Sequence, residues 1–266
     1  MAPAFKADRE AVELTVEAHI AHVAFNRPAV LNAVNIPTHL RLIEVFEEID
    51  GDPAIRCVVL KGHGRAFCVG ADQKERPGLS LADLRERRRI SPRAFAAMRR
   101  CTRPVIAQVQ GYALGSGLEM AMGCDLMVSA RGTVLGLIET QRGAIPAGGG
   151  TQLLPRLVGE MRARELIYTG RKFTAEEALT WGLGNYVVPA EELEEKVMSL
   201  AREIAAAAPV SVIQAKEAMN LALEMSGLSA GTRAETALFE RTLTTSDRLE
   251  AIASYREKRP PAFSGE

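Results

Sequence analysis

The chain has 266 residues, 47% hydrophobic and 25% charged, which suits one large soluble globular unit. Its 33 Lys and Arg balance 33 Asp and Glu, so no global field draws it toward nucleic acid or an anionic membrane. Cys57, Cys68, Cys101 and Cys124 have neither paired spacing nor a zinc-like pattern with histidine, which predicts buried free thiols in a reducing compartment.

The opening residues lack the apolar segment of a secretory signal and carry acids that a transit peptide avoids. No apolar run is long enough to span a bilayer, and a cytoplasmic protein without membrane contact is expected. Short β-rich runs at 12–16 and 20–25 flank Glu17-Ala18-His19 and predict an antiparallel hairpin. At 38–49, Leu40, Ile43, Phe46 and Ile49 recur at helical spacing and stop before Asp50-Gly51-Asp52-Pro53. The runs 57–60 and 105–109 are nearly continuous in apolar residues and predict buried strands, each followed by a glycine-bearing loop and a helical pattern. That order implies right-handed crossovers and a mainly parallel sheet, with reactive groups at the carboxyl ends of strands.

The segment 78–93 is arginine-rich and weakly apolar, which predicts a mobile flap or an exposed helix. After Thr151 the pattern is helical. Thr174-Ala175-Glu176-Glu177 reads as a capping box, stopped by Trp181-Gly182-Leu183-Gly184. Further helices are expected at 191–207, 210–225, 232–243 and 247–258, before Pro260-Pro261.

Two carboxylates stand beside glycine-rich loops, in Gly115-Ser116-Gly117-Leu118-Glu119 and in the stretch 139–151 that opens on Glu139 and contains Gly148-Gly149-Gly150. Glycines next to an acid let a substrate approach bare backbone N–H groups within reach of a proton-transfer group, so the chain reads as an enzyme. Singly, Glu119 reads as a helix N-terminal acid and Glu139 as an exposed loop acid; their joint placement favours catalysis. Gly115-Ser116-Gly117 is not a nucleophile elbow, because Leu114 occupies the first glycine position. The stretch 144–150 lacks the Gly-Lys-Ser/Thr ending of a phosphate loop, and Met120 stands where a dinucleotide fingerprint needs its last glycine.

Asn26-Arg27-Pro28, Asn32-Ala33, Ala66-Phe67-Cys68-Val69-Gly70-Ala71-Asp72, Gly111-Tyr112-Ala113-Leu114-Gly115-Ser116-Gly117-Leu118-Glu119, the stretch 145–152 and Glu257-Lys258-Arg259-Pro260 together resemble the crotonase superfamily, specifically its enoyl-CoA hydratases. The resemblance implies an α/β fold with a crotonase-like ββα spiral core at 1–200 and a helical C-terminal trimerisation region at 201–266. It implies a homotrimer or a homohexamer, and a reversible syn addition of water to a trans-2-enoyl-CoA with no metal and no cofactor beyond the coenzyme A of the substrate. By resemblance, the backbone N–H groups of Ala71 and Ser116 form an oxyanion hole, Glu119 activates water and Glu139 protonates Cα. Ala66, Asp72, Lys74, Tyr255 and Lys258 match CoA-binding positions, the last two acting from a neighbouring subunit.

Gly136-Leu137-Ile138-Glu139-Thr140, Lys74-Glu75-Arg76 and the ending 247–261 look closer to the methylglutaconyl-CoA hydratase branch, whose acyl chain ends in a carboxylate. A pocket-facing arginine is then expected, with Arg85, Arg87, Arg88 and Arg89 as candidates, although a charged run is ordinarily a solvated face and is read so here. Some relatives bind AU-rich RNA; the arginine run here lies in a neutral chain without interleaved aromatics, so nucleic acid is not an expected partner. Leu153 departs from the pattern, standing where many relatives have arginine. Both acids present favours hydration over enoyl-CoA isomerisation, which works with one carboxylate near Glu139.

Overall fold

The computed structural model describes residues 5–75, 80–225 and 227–266, with Glu75 described by its backbone alone. Ala18 at φ 46° and His19 at φ 69° turn β1 (Val12–Glu17) back onto β2 (Ile20–Phe25) as the expected antiparallel pair. Two successive left-handed residues give the turn the hand that matches strand twist.

The chain then crosses to β3 (Cys57–Gly62) through α1 (Ile36–Gly51), and β3 pairs parallel to β2. Helix α1 starts two residues before the expected position because the Asn35 side chain accepts the Thr38 N–H at 3.0 Å and Pro37 sits in the first turn, where no N–H is needed. A second crossover, α2 (Leu81–Arg100), leads to β4 (Val105–Val109), parallel to β3.

Of the two alternatives for 78–93 the structure shows the exposed helix for 81–89, with residues 78 and 79, like Arg76, outside the described residues; the helix runs on to Arg100 and becomes buried from Ile90. A capping box between Ser80 and Asp83 opens it, and its later turns bury Ile90, Ala94, Phe95 and Met98. The arginines of its first turns masked this apolar stripe.

The order continues through β5 (Tyr112–Leu114), α3 (Ser116–Met122), β6 (Leu126–Ala130), β7 (Val134–Gly136), α4 (Gly150–Val158), α5 (Glu160–Thr169), β8 (Phe173–Thr174), α6 (Ala175–Thr180), β9 (Tyr186–Val188) and α7 (Leu193–Ala206). Helices α8 (Pro209–Glu224), α9 (Leu228–Glu240) and α10 (Ser246–Glu257) complete it, close to the four expected C-terminal helices. The capping box at Thr174 and Glu177 opens α6 as expected. One sheet has the order β1-β2-β3-β4-β6-β9, parallel from β2 onward; the second has the order β5-β7-β8. Strands β8 and β9 fall where only helices were expected. Two or three residues are too few to show alternation, and these strands exist because a partner edge is already in place.

Alternate residues of the central strands enter two cores. Val58, Leu60, Val105, Ala107 and Val109 join one; Cys57, Val59, Ile106 and Val128 join the other, under Leu193, Val197, Ala201 and Ala205 of α7. Covering both faces explains the near-continuous apolar runs in the sequence. A boundary between residues 200 and 201 would cut α7. Cys57, Cys68 and Cys101 are buried free thiols pushed up to about 12, chiefly by burial. Lys216 of α8 ties the C-terminal helices to the sheet, donating to Asp125 Oδ2 at 2.6 Å and to the Arg103 carbonyl at 2.9 Å.

Candidate active site

The carboxyl ends of β3 and β5 bring two loops together. After Gly62 the chain runs parallel to β5, where Cys68 N–H donates to the Tyr112 carbonyl at 3.1 Å and Leu114 N–H to the Cys68 carbonyl at 3.0 Å. Gly117 permits this: a Cβ there would sit 2.0 Å from the Cys68 carbonyl oxygen, so any side chain would push α3 off the loop. Farther along, Val34 N–H donates to the Gly70 carbonyl and Asp72 N–H to the Val34 carbonyl, both at 2.9 Å, and this bridge leaves the Ala71 N–H without an acceptor among the described residues. The Ser116 N–H is the first of α3 and has no intrahelical acceptor. A Cβ on Gly70 would lie 3.3 Å from Ser116 N, so the two expected amide donors are neighbours across the loops.

Ala71, Ser116, Glu119 and Glu139 line one cavity of about 540 Å³. Glu119, 2% exposed, accepts at Oε1 from Gly148 N–H at 2.7 Å and from Gly150 N–H at 2.8 Å. Both glycines are required by proximity, since a Cβ on Gly148 would stand 2.8 Å from Glu119 Oε2 and one on Gly150 would stand 3.0 Å from Oε1. Burial pushes the Glu119 carboxyl above its ordinary range, while the Gly150 and Gly148 amides and the Arg88 and Arg99 guanidiniums oppose that rise.

Glu139 is half-buried and opens a 3-10 turn, Glu139–Arg142. The turn is fastened to α5 by Thr140 Oγ1 donating to the Ile167 carbonyl at 2.7 Å and by Gln141 Nε2 donating to the Thr169 carbonyl at 2.8 Å. A Cβ on Gly115 would lie 3.0 Å from Glu139 Oε1, so this carboxylate rests against the loop that opens α3.

The other expected residues lie apart from the cavity lining. Ala66 is buried and its carbonyl accepts from Asn32 Nδ2 at 2.8 Å. Asp72 pairs with Arg27 Nη2 at 3.0 Å and accepts the Lys74 N–H at 3.0 Å, so this acid and the Asn26-Arg27-Pro28 motif shape the loop behind Ala71. Lys74 is exposed on a 3-10 turn, and Tyr255, 85% exposed, and Lys258 stand on α10 and just after it. A single chain does not bring Tyr255 or Lys258 to the cavity.

Arg87, partly buried, and Arg88, exposed, line the cavity, which corrects in part the reading of the arginine run as a solvated face; Arg85 and Arg89 are exposed and do not line it. Sequence reasoning also missed His39, Phe95 and the glycine amides that hold Glu119. His39 packs against the Phe95 ring at 5.9 Å, is 5% exposed and is pushed down to about 4 by burial and then by Arg87, so it is neutral at pH 7. Its signal was present: Ile36, His39, Ile43 and Phe46 form one helical stripe with a single polar member.

Preorganised amides beside two carboxylates suit a reaction that places charge on an oxygen while protons move nearby. The model of the enoyl-CoA hydratase/isomerase family matches residues 15–266. The human mitochondrial enoyl-CoA hydratase domain-containing protein 2 is 38% identical, over 92% of this chain and 86% of that protein. The (E)-benzylidenesuccinyl-CoA hydratase of Thauera aromatica is 36% identical, over 96% of this chain and 99% of that enzyme. The crystal structure of an enoyl-CoA hydratase from Bacillus anthracis superimposes with a TM-score of 0.93 at 37% identity, covering 96% of this chain and 100% of that one. The fold is that of the crotonase superfamily, and the chain belongs to the enoyl-CoA hydratase/isomerase family.

Proposed function

We propose that this enzyme adds water reversibly across the double bond of a trans-2-enoyl-CoA. The observation that carries the reading is the meeting of Ala71, Ser116, Glu119 and Glu139 around one cavity. The thioester oxygen accepts from the Ala71 and Ser116 N–H groups, which stabilise the enolate charge; losing one such donor typically costs about 100 to 1000-fold in rate. Glu119 removes a proton as water oxygen bonds to Cβ, and Glu139 delivers a proton to Cα, giving the 3-hydroxyacyl-CoA. The setting of Glu119 suits a base, because burial raises its carboxyl and so makes the carboxylate a stronger proton acceptor, while the glycine amides and the arginines keep the charged form accessible. The test is loss of conjugated enoyl absorbance with crotonyl-CoA. Absence of that loss with crotonyl-CoA and with longer enoyl-CoAs alike would sink the reading.

Arg87 and Arg88 on the cavity wall, beside neutral His39, favour a second, narrower reading: an acyl chain ending in a carboxylate, as in methylglutaconyl-CoA. A higher kcat/KM for that thioester than for an uncharged branched enoyl-CoA of the same length supports it, and equal values remove it. Met219, Leu228, Phe239, Leu249 and Tyr255 are exposed on α8–α10, which supports a trimer or a dimer of trimers in which Tyr255 and Lys258 of one copy join Lys74 of another at CoA. Sedimentation equilibrium returning a monomer would exclude that arrangement.

A further inference from the structure

The loop at 148–150 has two sides. Its front amides hold Glu119. Its back faces a second cavity, of about 790 Å³, on whose wall Arg99, Gly149 and Leu153 lie. Arg99, in the last turn of α2, donates from Nη1 to the Gly148 carbonyl at 3.1 Å. A Cβ on Gly149 would fall 2.5 Å from Arg99 Nη1 and 3.3 Å from Leu153 Cδ1, so the guanidinium sits close against the bare backbone. With leucine at 153, Arg99 brings a guanidinium to this loop from another element.

We propose that Arg99 is a positioning residue for the reaction: from behind the loop it clamps the Gly148 carbonyl and thereby fixes the two amides that hold and aim the Glu119 carboxylate. Three consecutive glycines have no conformational preference of their own and must be held from outside to present two N–H groups to one oxygen. The Gly148 residue is gripped on both sides, its N–H by Glu119 and its C=O by Arg99. Releasing the rear grip frees the peptide that follows and lets the front amides drift.

The clamp also acts on charge. The charged and titratable groups lining the cavity around Glu119 are Arg87 and Arg88 of α2, His39 of α1, and Glu139 and Arg142 of the 3-10 turn, while Arg99 acts on the carboxylate from behind the loop. Arg99 opposes the upward push that burial exerts on Glu119, both through its own charge and through the amides it steadies. Without it the base holds its proton to higher pH.

The inference rests on the hydratase reading for its kinetic readout but not for its titration. The experiment compares full-length wild type with Arg99→Met and Arg99→Lys, measuring kcat, KM, the pH profile of kcat/KM, and the carbon-13 titration of the Glu119 carboxyl, assigned with Glu119→Gln. Arg99→Met should lower kcat by about 10 to 100-fold, the range for losing a hydrogen bond from a charged donor, with KM little changed. Its acid limb and its Glu119 titration should both move to higher pH. Arg99→Lys should return the titration to the wild-type position while recovering only part of kcat, because an ammonium lacks the planar fork. A folded Arg99→Met with wild-type kcat and an unmoved titration overturns the clamp. If Arg99→Met does not fold, Arg99→Gln, which loses both the charge and the fork, takes its place, and wild-type kcat together with an unmoved Glu119 titration in it overturns the proposal equally. A wild type that hydrates no enoyl-CoA sinks the hydratase reading alone and leaves the titration to decide on Arg99.

Discussion

The loop at 148–150 holds its glutamate with main-chain amides, whereas the turn Glu139–Arg142 holds its own through side chains fastened to α5. The first arrangement survives most side-chain changes and fails when a Cβ is added; the second depends on side-chain donors and loosens when a hydroxyl is lost. One carboxylate is buried at 2% exposure, the other half-buried, so the two meet the same cavity with different desolvation. Two acids of one chemical type can thus divide the work of base and acid.

The sharpest way to break this pairing is to neutralise each acid. Glu139→Gln and Glu119→Gln should each lower hydration by about 100 to 10,000-fold, the usual worth of general acid–base catalysis, with the far-ultraviolet circular dichroism unchanged. Comparable hydration in either variant would remove the assigned role. Gly148→Ala probes the amide side: its Cβ would stand 2.6 Å from the Phe95 ring, and overpacking of this kind costs about 1–3 kcal/mol, read as a lower Tm along with a collapse of kcat.

Acidity distinguishes the loops next. Because burial raises Glu119, activity should fall on acidification at a pH above the ordinary carboxylate range. The sign for stability is the reverse of an ion-paired acid. A folded-state value above the unfolded one contributes stability in acid, and that contribution is lost as pH rises through the raised value. Glu119→Gln should therefore melt higher than wild type at neutral pH, with the gap closing in acid; a constant gap contradicts it. The smallest effect belongs to the turn, where Thr140→Val removes one anchor worth about 0.5–1.5 kcal/mol and should reduce kcat only several-fold.

Much of this architecture was legible in the sequence where a local rule settles it. The hairpin at 18–19, the buried strands β3 and β4, and the capping box at Thr174 follow from turn chemistry, continuous apolar runs and a fixed spacing of cap and acid. The two glutamates and the amides at 71 and 116 followed from motif resemblance, and the structure brings all four to one cavity. What escaped was set by partners distant in the chain. Strand β9 exists because β6 offers an edge, Arg87 and Arg88 reach the cavity rim because α2 packs its Phe95 end beside Glu119, and Arg99 meets Gly148 across 49 positions. No periodicity within a window reports such meetings.

Lys216 enters the sheet from α8 and shares Asp125 Oδ2 with the Val105 N–H that opens β4. One carboxylate oxygen thereby serves as both hinge pin for the C-terminal arm and anchor for a central strand. A displacement of α8 would carry the ammonium away and leave that oxygen to the Val105 N–H alone. Breaking that pin from one side alone is costly, because Lys216 is only 6% exposed and would lose its counter-ion.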